Sequence, residues 1–73
     1  MFGIFVDYIG KRIIYANTVH IEVLDKLTKD VASCESFKGM SENEMNLKLF
    51  SLKEKNEDFE VIGIGDTFGN LEH

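Results

Sequence analysis

An α+β fold of two layers is predicted for this 73-residue chain from three observations. β-Branched and aromatic runs lie near both ends, an apolar stripe with helical spacing lies between them, and the length allows one domain only. The expected order is hairpin, helix, hairpin (ββαββ), an antiparallel sheet with one helix on a face. The alternative order is ββααβ. Residues 1–70 form the single domain, and Leu71-Glu72-His73 reads as the start of a vector-encoded histidine tail.

The first hairpin rests on Phe2-Gly3-Ile4-Phe5-Val6-Asp7-Tyr8-Ile9 and Arg12-Ile13-Ile14-Tyr15-Ala16, both rich in strand-favouring side chains. Gly10-Lys11 between them suits a two-residue type II′ turn. Alternation puts Phe5, Asp7 and Ile9 on one face and Ile4, Val6 and Tyr8 on the other. Neither face is cleanly polar, so both are expected to be at least partly covered.

Asn17 or Thr18 can cap a helix, and Val23, Leu24, Leu27, Val31 and Cys34 then recur as one buried stripe, which predicts a helix over 19–34. Glu22 with Lys26 and Asp25 with Lys29 are acid-before-base pairs on its outer side. Phe37 to Asn43 reads as a loop. Residues 44–55 send two signals. Ser41 with Glu44 has the form of a capping box and the stretch lacks β-branched residues, which favours a helix. Met45, Leu47 and Leu49 alternate as in a strand, and folding Phe59-Glu60-Val61-Ile62-Gly63-Ile64 back across Asn56-Glu57 sets Lys53 opposite Glu60 and Leu52 opposite Val61. The cross-strand pairs decide for a second hairpin.

Composition bounds function. The chain has 8 basic and 13 acidic residues, a formal net charge of −5 and a pI near 4.8. No basic stripe is present, which argues against nucleic acid and anionic membrane as partners, since both need clustered Lys and Arg. A single cysteine fits a reducing compartment, and no apolar run approaches the ~20 residues that span a bilayer. The expected location is the cytoplasm. Strands apolar on both faces beside a single helix leave apolar surface over, which predicts a homodimer.

Gly63, Gly65 and Gly69 with Asp66 form a glycine-punctuated strand end that invites a phosphate-loop reading. Their spacing misses the dinucleotide fingerprint and no helix follows, so a bulge and turn is the simpler account. His20 and Cys34, placed on one helix, lie about 21 Å apart at 1.5 Å per residue, beyond a shared metal or a thiolate–imidazole pair. Asp7 and Asp66 are the one carboxylate pair that the strands could bring together, with Asp7 raised in pKa by its apolar neighbours. An edge position that discourages aggregation is its simpler role.

The second hairpin's tip is acidic. Glu57, Asp58 and Glu60 around an exposed Phe59 would dock on a basic partner, charge steering and the ring anchoring. The leading expectation is therefore a small protein–protein interaction or regulatory module acting through a sheet edge or this acidic hairpin. A small-ligand module with its pocket at a dimer interface, near Gly63, Gly65 and Asp66, is the alternative. An enzyme ranks third, and no cofactor or metal is expected.

Overall fold

The computed structural model describes residues 1–64. Four strands, β1 (Phe2–Asp7), β2 (Arg12–Asn17), β3 (Cys34–Met40) and β4 (Glu60–Ile64), form one sheet in the order β3-β1-β2-β4. A 3-10 turn at Thr18–His20 leads into helix α1 (Ile21–Asp30), and helix α2 (Glu42–Lys55) joins β3 to β4. The α+β class and the strands β1, β2 and β4 agree with the sequence reading. The arrangement does not, because the order is ββαβαβ and the sheet is mixed.

β1 pairs antiparallel with β2 and with β3, while β4 runs parallel to β2. The β2–α1–β3 and β3–α2–β4 connections therefore travel across the sheet in opposite directions. Crossovers of one hand travelling in opposite directions place their helices on opposite faces. Ile4, Val6 and Ile13 accordingly pack with Met45 and Leu52 of α2. Phe5, Ile14 and Ala16 pack with Leu24 of α1. Both faces are covered, as the two-sided apolar strands implied, but by two helices rather than one.

Three boundaries differ from expectation. The first hairpin closes at Asp7–Arg12 through the four residues 8–11, not through a two-residue Gly10-Lys11 turn. Lys11 takes the positive φ, at 55°. The first α-helix stops at Asp30 instead of 34, and Cys34 begins β3 where a helix end and a loop were expected. Gly39, at φ 77°, sits where the register against β1 shifts. That shift ends the regular part of β3 at Lys38.

The second hairpin is absent. Residues 42–55 are helical, with the capping box complete: Ser41 Oγ accepts from the Glu44 amide and Glu44 Oε1 accepts from the Ser41 amide, both at 3.2 Å. Glu60 stands opposite Arg12 and Val61 opposite Ile13, so the expected Lys53–Glu60 and Leu52–Val61 pairs do not form. Local capping outweighed the cross-strand argument.

Candidate functional site

The outer side of β3 carries no further strand among the described residues. The amide of Tyr8 donates to the Ser33 carbonyl at 3.3 Å, which fixes the phase of the ladder. Residues 33, 35 and 37 then turn their backbone groups toward β1, and Cys34, Ser36 and Lys38 turn theirs outward. Seven residues of edge strand are about 23 Å long, matched by about 21 Å for the fourteen residues of α2.

Between this edge and α2 lies a groove of about 550 Å³ lined by Phe37, Met40, Glu44, Leu47, Lys48 and Ser51, among others. It continues past Phe37 and Lys48 toward Glu35, Tyr8 and Lys55. Leu47 forms a wall of it while 71% exposed. Lys48 Nζ sits 4.6 Å from the centre of the Phe37 ring, a cation–π contact that holds a positive charge over the groove floor. Glu35 Oε2 accepts from the Tyr8 hydroxyl at 2.5 Å, and that bond raises the phenol's pKa above its ordinary value. On the opposite face Lys38 is paired with Asp25 of α1.

Ser36 lies at the middle of the regular stretch Cys34–Lys38. Its hydroxyl is buried and has no hydrogen-bond partner among the described residues. Buried hydroxyls are ordinarily paired, and one left without a partner costs free energy.

The acidic segment has another role than the one expected of it. Phe59 is 7% exposed, packed in the α2-side core and edge-on to Tyr8 with ring centres 6.0 Å apart, so it cannot anchor a partner. Lys53 Nζ donates to the carbonyls of Glu57 and Phe59, both at 2.6 Å. Asp58 pairs with Lys11 at 3.0 Å, which lowers its pKa, and the Glu60 amide donates to the Lys11 carbonyl. Glu57, Asp58 and Glu60 are exposed, on a turn tied to its own chain rather than on a free hairpin tip.

Asp7 is 3% exposed and fully engaged. Oδ1 accepts from the amides of Ile9 and Gly10, and Oδ2 accepts from Arg12. The Gly10 amide, then the Arg12 hydrogen bond, hold its pKa below the ordinary value, the reverse of the raised pKa expected for an acid catalyst. Asp66 and Gly65 lie outside the described residues. Gly63 is an ordinary β4 residue opposite Tyr15.

His20 ends the 3-10 turn, and Cys34 Sγ contacts the Thr28 and Val31 carbonyls at 3.0 Å. Because α1 spans Ile21–Asp30, the two do not share a helix, against the sequence expectation. Among the described residues, no group of three or more His, Cys, Asp or Glu could hold a metal ion. No described helix is long and apolar enough to cross a membrane.

The groove residues escape sequence reasoning because Phe37 and Met40 read as loop and Leu47 as strand. The available signal was α2 itself, a well-capped segment whose Leu47 and Phe50 fit no single apolar stripe. Comparison with protein-family models, curated proteins and solved structures finds no match for this chain.

Proposed function

We propose that this chain is a protein–protein interaction module that receives an extended segment of a partner chain along the outer edge of β3, beside α2. The observation that carries this reading is the coincidence of a strand edge left open among the described residues with an apolar groove walled by the exposed Leu47. Strand addition uses both parts: main-chain hydrogen bonds supply affinity, and alternate side chains entering a neighbouring groove supply specificity. The outward groups of Cys34, Ser36 and Lys38 provide the first. Phe37, Met40 and Leu47 provide the second, with Lys48 and Lys55 favouring an acidic residue on the incoming segment.

The acidic turn contributes little to this reading, because its aromatic residue is core and its Asp58 is already paired. An acid–base enzyme finds no support in Asp7, whose oxygens serve the hairpin.

Photo-crosslinking in the native cells tests the reading, with benzoylphenylalanine replacing Leu47 in the groove or Val23 on the far face. Specific adducts are expected from position 47, absent from position 23, and lost when Ser36→Pro removes an outward amide. Proline is tolerated at sheet edges where its missing N–H faces away from the ladder. N-methylation of that amide in synthetic protein replaces proline should the ring disturb the fold. Absence of adducts at 47, or adducts indifferent to blocking residue 36, would overturn strand addition at β3.

A further inference from the structure

We propose that the segment received by β3 is β3 of a second copy of this chain, paired antiparallel about a twofold axis through Ser36. This inference rests on the strand-addition reading and names its partner. A twofold axis normal to a sheet keeps each side chain on its own face, so residues directly opposite must have the same parity. With Ser36 on the axis, Cys34 faces Lys38 of the other copy, Ser36 faces its own equivalent, and Glu35 faces the second Phe37.

Three observations favour this register. First, the regular stretch Cys34–Lys38 is symmetric about Ser36, bounded at Lys38 by the register shift. All the outward-facing residues of both strands (34, 36 and 38) then enter hydrogen-bonded pairs. Moving the axis to Phe37 would pair only 36 and 38 within the regular stretch.

Second, the charges complement each other. Lys48 lies over Phe37, so in the Ser36-centred register Lys48 of each copy comes beside Glu35 of the other, twice by symmetry. An axis at Phe37 would instead bring the two Lys48 ammonium groups together. Third, the orphaned Ser36 hydroxyl gains a partner, because rotation about its Cα–Cβ bond turns it toward the same hydroxyl across the axis.

Helix spacing is compatible. Each α2 packs over Ile4 and Val6 of β1, so the two helices would be separated by three strand intervals, about 14 Å. Direct helix contact needs 8–10 Å, so a shared cleft remains. Phe37 and Leu47 of both copies line that cleft.

Sedimentation of the purified chain, from micromolar to millimolar concentration, tests the pairing together with charge-exchanged variants. The wild type is expected to dimerise. Glu35→Lys and Lys48→Glu, each placing like charges together, are expected to weaken the dimer by about tenfold or more, and the double exchange to restore it. Amide exchange at Ser36 should slow as concentration rises. A wild type that stays monomeric throughout would overturn the homotypic pairing. So would a dimer indifferent to the single reversals, or one not restored by the double exchange while its monomer keeps a folded circular dichroism spectrum. Adducts from position 47 to a different protein would then leave strand addition standing with another partner.

Discussion

Oδ2 of Asp7 lies 2.7 Å from Nη2 of Arg12, joining the two residues that close the β1–β2 hairpin. Oδ1 of the same carboxylate accepts from the Ile9 and Gly10 amides, so one side chain organises both the turn and the ion pair. Arg12 remains partly exposed, which moderates the ion pair, but the carboxylate is not.

Asp7→Ala is expected to lower stability by about 2–3 kcal/mol, through loss of hydrogen bonds to a charged acceptor. Asp7→Asn keeps a carbonyl for the turn amides and is expected to cost less. The sign with pH follows from the lowered folded pKa. Stability from this group is complete above the unfolded carboxylate value near 3.9 and is lost as pH falls through it toward the folded value. Urea denaturation of wild type and Asp7→Asn, repeated from neutral to acid pH, should show the gap between them closing below about pH 4. A gap that stays constant would remove the charge from the account.

Phe59 joins the acidic turn to the core, and its truncation tests that the turn is structural. Phe59→Ala should cost about 3–5 kcal/mol, the range for a buried aromatic side chain, and Phe59→Leu distinctly less. Glu57→Gln, on the exposed side of the same turn, should stay within about 0.5 kcal/mol. Chemical denaturation reads all three. A Phe59→Ala variant as stable as wild type would return the ring to the surface.

Much of the fold was legible where local chemistry and tertiary packing agree. β1, β2 and β4 declared themselves through β-branched residues, and the two-sided apolar pattern of β1 foretold cover on both faces. β3 was hidden by its composition. Cys-Glu-Ser-Phe-Lys-Gly-Met has no β-branched residue and a glycine at its bulge, and therefore resembles a loop.

α2 was legible in Ser41, Glu44 and the lack of β-branching, yet Leu47 and Phe50 blurred its apolar stripe. Of the two, Leu47 walls the groove proposed to bind, a case where a broken pattern carries functional information. The parallel placement of β4 beside β2 was not legible, because it depends on the direction of the crossover rather than on any local residue.

The cap of α2 makes a second stability test, independent of the core. Ser41→Ala should cost about 1 kcal/mol by releasing the Glu44 amide, while Ser41→Asp should keep the acceptor and most of the stability. The measurement is the urea midpoint, with helicity by far-ultraviolet dichroism. Equal loss in both variants would mean that the hydroxyl does more than cap.

Leu47 and Phe50 separate binding from folding within one helix. Both are exposed, at 71% and 69%, and three residues apart, so they point about 60° apart around the helix. Leu47 walls the groove beside β3, and Phe50 is not among the groove-lining residues. Leu47→Ser and Phe50→Ser should each leave unfolding free energy within about 0.5 kcal/mol of wild type, since neither side chain is buried. Only Leu47→Ser should weaken self-association in sedimentation, because it alone lines the cleft shared between copies. Equal weakening by both would move the contact from the groove to the outer face of α2, and weakening by Phe50→Ser alone would exclude β3 as the paired edge.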